Sequence, residues 1–288
     1  MKSVSETIRK YLDDKRKRKN VAEDVEEDVL MCDQMHFDAK EAYKLLRTNL
    51  LFTLPDRTKS CVIGVTSPIR GEGKSTVSIN LAYTFATTNS RVLLIDMDMR
   101  LPSLAKKLKI DSKLGLSDFI IGKTREGNIY HRMKNYPNWD IVFSGSIPPT
   151  PSELIGSQRM KKFIDNAREI YDYIIIDLPP VNIVSDALTA KELVDGYVVT
   201  VREGYSDKHS LADCMRQLGF LEANVLGFVM VDSNANIGAY GKKYRNYYRY
   251  YGKKKYGYYK KHYGYYSKSY GYGYRQHKEE ENKENIEE

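Results

Sequence analysis

A glycine-rich segment that follows an apolar stretch is the part of this sequence best suited to bind phosphate. Cys61–Thr66 is predicted to be a buried strand, and residues 71–76, Gly-Glu-Gly-Lys-Ser-Thr, lead from it into a helix. Glycines let backbone amides curl around an anion, and the helix N-terminus directs its free N–H groups at the same point. Lys74 can reach the terminal phosphates of a nucleotide, and Ser75 can place its hydroxyl on Mg²⁺. The candidate nucleotide-binding residues are Gly71, Glu72, Gly73, Lys74, Ser75 and Thr76.

Two further apolar stretches each end in an aspartate. Val92–Asp96 is followed by Asp98, and alternation along an extended chain puts these two carboxylates on the same side. Tyr173–Asp177 is another buried stretch with a terminal carboxylate. The carboxyl ends of parallel strands meet at one edge of a sheet, where hard oxygen ligands favour Mg²⁺. The predicted metal ligands are Ser75, Asp96, Asp98 and Asp177, and the candidate catalytic residues are Lys74, Asp96 and Asp98.

The middle of the chain alternates apolar strands with helical stretches. The remaining strand candidates are Ile141–Phe143, Tyr197–Val201 and Val225–Val231. The helical stretches between strands are residues 75–88, 160–170, 186–194 and 208–219. Continuous Val, Ile and Leu runs are typical of parallel strands buried on both faces, and the helices suit right-handed crossovers. The sequence predicts an α/β fold of the P-loop NTPase type, a doubly wound and mostly parallel sheet with helices on both faces.

Composition divides the chain into three parts. Residues 1–37 form a densely charged arm, interpreted as a solvated helix or a disordered segment, with contact to anionic lipid as the alternative. Residues 38–239 form the predicted folded domain, which begins with an amphipathic helix at 38–54. Asp38 can cap this helix, with Glu41 three residues later as in a capping box. Its predicted apolar stripe consists of Ala42, Leu45, Leu46 and Leu50.

The third part, residues 240–288, is rich in tyrosine. Fifteen of the chain's 24 tyrosines lie in residues 240–274, interleaved with Gly, Lys and Arg and without Val, Leu, Ile or Met. Such a segment lacks the side chains to build a core, so it is predicted to be disordered. The net charge of the whole chain is +8, and residues 241–288 carry +7 of it. The folded domain and the arm together are therefore almost neutral.

Several classes of protein are excluded by composition. The longest apolar run has seven residues, whereas a membrane-spanning helix needs about 20. Residues 1–20 contain no apolar core of a secretory signal. Three cysteines, widely spaced, cannot form a disulfide framework or a four-ligand zinc site. The sequence therefore predicts a cytosolic protein.

The acceptor of the phosphoryl group decides between a hydrolase and a kinase. The tail offers fifteen phenols, and a phenol with a pKa near 10 needs a carboxylate within hydrogen-bond reach to take its proton. Asp96 or Asp98 could accept that proton.

The ordered set of motifs resembles the bacterial tyrosine kinases of capsule and exopolysaccharide operons, over about residues 38–280. The matching segments are the phosphate loop, residues 95–100 (Ile-Asp-Met-Asp-Met-Arg), residues 144–154, residues 174–180 (Ile-Ile-Ile-Asp-Leu-Pro-Pro) and the tyrosine cluster. The resemblance implies an ATP- and Mg²⁺-dependent protein-tyrosine kinase in which Lys74 binds the β- and γ-phosphates and Asp96 is the base. The implied autophosphorylation sites are Tyr256, Tyr258, Tyr259, Tyr263, Tyr265, Tyr266, Tyr270, Tyr272 and Tyr274.

The resemblance also implies partners. The family carries an E-x-x-R-x-x-R motif for subunit contacts in a ring, which here is Glu41, Lys44 and Arg47, with Lys44 in place of the first arginine. Lysine cannot make the planar bidentate contact of arginine. Members from Gram-positive bacteria pair with a separate transmembrane adaptor of the polysaccharide co-polymerase type. The expected location is therefore the cytoplasmic face of the membrane, with protein tyrosines as substrates and a cognate tyrosine phosphatase as a further partner.

Two other functions are consistent with part of the pattern. A partition-type ATPase would share all three motifs, but such proteins usually carry a lysine where this chain has Ile69. A nucleic-acid-binding module could use the aromatic and basic tail to stack on single-stranded bases. The nearly neutral body offers no basic groove, so nucleic-acid binding is not expected to be the main function.

Overall fold

The computed structural model describes residue 35 and residues 37–54 and 60–232. Within them, seven strands form one sheet in the order β3-β4-β2-β5-β1-β6-β7. All neighbouring pairs are parallel except β3 and β4. The strands are β1 Cys61–Thr66, β2 Val92–Asp96, β3 Tyr130–Arg132, β4 Trp139–Val142, β5 Tyr173–Asp177, β6 Gly196–Arg202 and β7 Val225–Val231.

Helices cover both faces of this sheet. They are α1 Phe37–Thr53, α2 Lys74–Ala86, α3 Leu104–Lys107, α4 Leu116–Ile120, α5 Pro151–Ile155, α6 Gln158–Arg168, α7 Asp186–Thr189 and α8 Lys208–Phe220, with 3₁₀ turns at Glu126–Asn128 and Ala190–Leu193. One apolar core lies between the sheet and α1, α2 and α3. The other core lies between the opposite face and α4 to α8. The predicted doubly wound α/β fold is confirmed.

All six predicted strands are present, two of them with different bounds, and one further strand lies at an edge of the sheet. The bounds of β1, β2, β5 and β7 are the predicted ones. The predicted strand Ile141–Phe143 is β4, Trp139–Val142, and the predicted strand Tyr197–Val201 is one residue longer at each end, as β6. The edge strand β3 was not predicted, because Tyr-His-Arg is short and has a single neighbour, so it shows no apolar run. The short helices α3, α4 and α5 were also not predicted.

The apolar stripe predicted for α1 is wrong at two of its four positions. The helix packs with Leu50 and Leu54 buried and Leu46 against the core. Ala42 is exposed, and the side chain of Leu45 is 60% exposed. The helix is rotated relative to the prediction, because the polar side chains of Tyr43 and Arg47 also face the body of the protein and bond to α2. Asp38 lies in the first turn, since the helix begins one residue earlier than predicted.

The predictions for the arm at 1–37 concern residues that, apart from 35 and 37, lie outside the described part of the chain. The tail at 240–288 and its nine candidate tyrosines also lie outside it. The three-part division of the chain stays a prediction.

Candidate active site

The segment between β1 and α2 has the backbone of a phosphate-binding loop. Gly71 and Gly73 both have left-handed backbone angles, with φ of 81° and 83°. Residues with a side chain rarely adopt this conformation, so the turn depends on glycine at both positions. Gly73 is the N-cap of α2, a helix of 13 residues with no side-chain cap. Its first amides and its positive dipole end are therefore free to bind an anion.

The first three residues of α2 differ in what they face. Lys74 is 9% exposed, and its charge opposes the rise in the pKa values of Asp98 and Asp177, so its ammonium lies near both carboxylates. The hydroxyl of Ser103 donates to Ser75 Oγ at 2.8 Å, and Ser75 in turn hydrogen-bonds to Asp177. Thr76 accepts from Lys107 of α3 at 3.4 Å. Lys74 and Ser75 therefore face the predicted carboxylates.

Asp96 and Asp177 are the last residues of neighbouring parallel strands and stand opposite each other in the register of β2 and β5. Their exposed fractions are 0% and 1%. Backbone amides of Ser103 and Leu104 donate to Asp96 Oδ2, at 3.2 and 3.0 Å, and Ser78 Oγ donates to Asp177 Oδ1 at 3.1 Å. The second oxygen of each carboxylate has no hydrogen-bond partner among the described residues. Two buried, half-satisfied carboxylates therefore share one corner of the site.

The local electrostatics disfavour charge on these two groups. Burial and then the nearby Asp177 raise the pKa of Asp96 well above its usual value. Burial also raises the pKa of Asp177, against the opposing effects of Lys74 and of the hydrogen bond from Ser75. Such an arrangement is costly without a compensating cation, and it is typical of functional sites.

Asp98 is less buried and lies on the loop after β2. The amide of Leu101 donates to Asp98 Oδ1 at 3.1 Å, and burial raises the pKa of this carboxyl. Two residues further along, Arg100 donates from Nε and Nη2 to the fully buried Asp186, both at 2.9 Å. Ser152 adds a hydrogen bond to the same carboxylate at 2.5 Å. This ion pair ties the loop of Asp98 to α5 and α7.

These donors fit a nucleotide with Mg²⁺. The phosphate loop offers amides, Lys74 offers a cation, and Ser75, Asp96 and Asp177 offer oxygens of which two are unsatisfied. Among the described residues, no group of three or more His, Cys, Asp or Glu side chains is arranged to hold a metal ion by itself. Mg²⁺ is commonly bound through one or two carboxylates plus phosphate and water oxygens, so this donor set suits it.

The residues predicted for subunit contacts lie elsewhere, on α1. Lys44 pairs with Glu41 of the same helix, with 2.7 Å between Nζ and Oε1. Arg47 Nη1 donates to the carbonyl oxygen of Thr84 on α2 at 2.6 Å, and Tyr43 hydrogen-bonds to Asn80 of the same helix. Arg47 thus holds α1 against the body within one chain, and the ring contact stays a prediction.

Sequence reasoning missed several side chains that complete the site. Ser103, Ser78, Asp186 and Ser206 bond directly to predicted site residues or to their loops. Ser78 carried a signal, because it stands four residues after Lys74 and faces the same way on α2. Ser103 and Ser206 come from loops and Asp186 from the start of the short helix α7, and the sequence pattern does not specify how these segments approach the site.

Within residues 37–54 and 60–232, the structure contains no helix of the length and apolarity needed to cross a bilayer.

Comparison with known proteins gives the site its family. A family model described as "AAA domain" matches residues 60–224. Tyrosine-protein kinase YwqD of Bacillus subtilis is 33% identical over 230 residues, which cover 78% of this chain and 96% of YwqD. Tyrosine-protein kinase CpsD of Streptococcus pneumoniae serotype 4 is 35% identical over 206 residues, covering 70% and 88% of the two chains. The kinase domain of the Escherichia coli tyrosine kinase ETK superimposes with a TM-score of 0.68 at 27% identity, covering 78% of this chain and 88% of that domain. With its phosphate loop, Lys74 and paired strand-end aspartates, the chain belongs to the bacterial tyrosine-protein kinases.

Proposed function

We propose that this kinase transfers the γ-phosphoryl group of ATP to tyrosines of its own C-terminal cluster, in trans, and thereby regulates the polymerisation and export of a capsular or exopolysaccharide. The observation that carries the catalytic part is the pair of unsatisfied carboxylate oxygens on Asp96 and Asp177 beside the phosphate loop. The wider role is supported by the family relationship, since this chain matches relatives named as tyrosine-protein kinases over 96% and 88% of their lengths.

The phosphates of ATP would lie on the amides of the loop at Gly71, Glu72 and Gly73 and on the first turn of α2, which includes Thr76. Lys74 would bind the β- and γ-phosphates, because it is the first residue of α2 and its charge acts on the carboxylates of Asp98 and Asp177. Amides, dipole and ammonium together would stabilise charge on the transferring group.

Ser75, Asp98 and Asp177 would hold Mg²⁺, whereas Asp96, which the sequence also predicts as a ligand, would keep its one free oxygen for the tyrosine proton. When bound, the ion supplies charge neutralisation for the phosphates and orients them. The role of the chain in this is to present Ser75 Oγ, fixed by Ser103, beside the carboxylate of Asp177.

Asp96 would receive the proton of the tyrosine. Its Oδ2 is held by two amides while Oδ1 is without a partner among the described residues. A carboxylate oxygen left free in this way can accept the phenol's proton once the tyrosine is within hydrogen-bond reach. The phenolic oxygen forms a bond to the γ-phosphorus, the bond between that phosphorus and the bridging oxygen breaks, and ADP leaves.

The proposed partners follow from the family. A transmembrane adaptor would recruit the kinase to the cytoplasmic face of the membrane and activate it, and copies of the chain would assemble into a ring through α1. Other protein tyrosines would be substrates, and a cognate phosphatase would reverse the modification. No observation on the described residues favours nucleic acid as a partner.

The test is detection of phosphotyrosine on three purified proteins, each with and without a candidate adaptor. They are the wild type, Lys74→Met and a variant with the tail tyrosines changed to phenylalanine. We expect a signal from the wild type alone, strengthened by the adaptor. Release of free phosphate from ATP without any labelled tyrosine would contradict the kinase and favour an ATPase.

A further inference from the structure

The side chain of Glu72, in the phosphate loop, lies inside the protein. It is fully buried, and the amide of Ile69 donates to its Oε2 at 2.8 Å. The hydroxyl of Ser206, on the turn after β6, donates to its Oε1. Burial, and then the charge of Glu72, raise the pKa of the Cys214 thiol on α8 to about 12. The carboxylate therefore lies inside the protein, between the loop and the segment that joins β6 to α8.

Ser206 is itself held firmly in place. Its amide donates to the carbonyl oxygen of Arg202 at 2.9 Å, and the amide of Arg202 donates back to Ser206 Oγ at 2.8 Å. With this hydrogen bond accepted, the hydroxyl proton is directed at Glu72. Two successive hydrogen bonds, from the Arg202 amide to Ser206 Oγ and from the Ser206 hydroxyl to Glu72, thus connect the end of β6 to the phosphate loop.

The two glycines beside Glu72 are contacted from the same side. A Cβ atom on Gly71 would lie 3.0 Å from Tyr205 Oη, and one on Gly73 would lie 3.1 Å from Val231. Arg202 Nη1 also donates to the carbonyl oxygen of Gly71 at 3.4 Å. Three successive loop residues are therefore backed by β6, β7 and the turn after β6.

We propose that Ser206 is a positioning residue of the kinase: through Glu72 it fixes the amides of residues 71–73 in the direction that binds the nucleotide's phosphates. Without the hydroxyl, a buried carboxylate loses one of its two donors, and the loop can regain a donor only by turning Glu72 toward water. That movement would turn the amides of residues 71–73 away from the direction in which they bind phosphate. The inference rests on the proposed function, since it names what holds the loop of that same site.

The test is the dissociation constant for MgADP, measured by calorimetry on four full-length proteins. They are the wild type, Ser206→Ala, Ser206→Thr and Ser210→Ala. Ser210 is the matched control, because it lies four residues after Ser206 and its hydroxyl also donates to a carboxylate. That carboxylate belongs to Asp207, at 2.5 Å, and not to the phosphate loop. The thermal midpoint of each protein confirms that it is folded.

We expect Ser206→Ala to bind MgADP about tenfold more weakly, the size of one hydrogen bond to a charged group. Ser206→Thr keeps the hydroxyl and should restore wild-type affinity, and Ser210→Ala should bind as the wild type does. In tyrosine phosphorylation, Ser206→Ala should raise KM for ATP with kcat within about twofold. Equal affinity of Ser206→Ala and wild type, or equal loss in Ser210→Ala, would overturn the proposal.

Glu72→Gln supplies an independent check that also works if Ser206→Ala does not fold. Combined with Ser206→Ala, it gives a double-mutant cycle. If Ser206 acts through Glu72, the effects of Ser206→Ala and Glu72→Gln on affinity are smaller together than their sum. If Ser206→Ala does not fold, the proposal requires that Glu72→Gln alone weakens MgADP binding, and unchanged affinity overturns it. A wild type that binds MgADP but never labels tyrosine would refute the kinase and leave this inference standing.

Discussion

Aspartates at the amino ends of the strands (the amino edge) and at their carboxyl ends (the carboxyl edge) differ in how fully they are hydrogen-bonded. At the amino ends of the strands, Asp140 accepts from Nε and Nη2 of Arg132, both at 2.9 Å, and from the hydroxyl of Tyr171 at 2.9 Å. Asp195 accepts from both terminal nitrogens of Arg168, at 2.8 and 2.9 Å. These carboxylates are bonded through both of their oxygens.

At the carboxyl ends, Asp96 and Asp177 lie deeper in the protein but are bonded through one oxygen each. No arginine bonds to either of them in the described part of the chain. The carboxylates at the amino edge are therefore satisfied within the protein, whereas the carboxyl edge leaves two oxygens open to the proposed cation. Stability and function are therefore expected to separate along the strand direction.

The largest expected effect is that of Lys74→Met on activity. It removes a cation whose charge acts on both Asp98 and Asp177, and we expect tyrosine phosphorylation to fall about a thousandfold. The measurement is transfer of labelled phosphate from ATP. Lys123→Met is the control, because the Lys123 side chain is 60% exposed and its ammonium pairs at 3.9 Å with Asp118, which is not among the site residues. A kinase that keeps more than a tenth of its activity in Lys74→Met would break the comparison.

Asp140→Asn should cost stability instead of activity. It leaves the guanidinium of Arg132, which is about three quarters buried, without its charged partner, so we expect a loss of about 3 kcal/mol in the free energy of unfolding. Urea denaturation measures it. Asp165→Asn, an exposed position on α6, should change stability by less than about 0.5 kcal/mol. Activity per folded molecule should stay at the wild-type level, and its loss would contradict the separation of the edges.

The smallest effect is expected at the exposed end of the amino edge. Arg91 and Asp172 form an ion pair at 2.8 Å, but both side chains are more than 40% exposed. Removing the guanidinium in Arg91→Ala should cost about 0.5 kcal/mol in low salt and less in 1 M salt, because water and ions screen the pair. Urea titrations at two salt concentrations measure this. A loss as large as that of Asp140→Asn would show that the contribution of an ion pair at the amino edge to stability does not depend on its burial.

The sequence predicted the carboxyl edge well because parallel strands carry their own signal. Each of β1, β2 and β5 is a largely apolar run, and the candidate site residues end or follow these runs. The contacts of Ser103 and Ser206 were not predictable, since they depend on how loops distant in sequence fold over the phosphate loop. The orientation of α1 was missed because Tyr43 and Arg47 pack inward, which an apolar pattern does not register.

One pair of variants, Asp177→Asn and Asp140→Asn, tests the contrast most directly. The stability of each is measured by urea denaturation in EDTA, and its affinity for MgADP is measured on separate folded samples without EDTA. The account predicts that Asp177→Asn keeps or gains stability, because a buried, half-satisfied charge is removed, and that it loses Mg²⁺-dependent nucleotide binding. Asp140→Asn should lose about 3 kcal/mol and bind MgADP normally. If Asp177→Asn were destabilised as much as Asp140→Asn and still bound MgADP like the wild type, the account would be wrong.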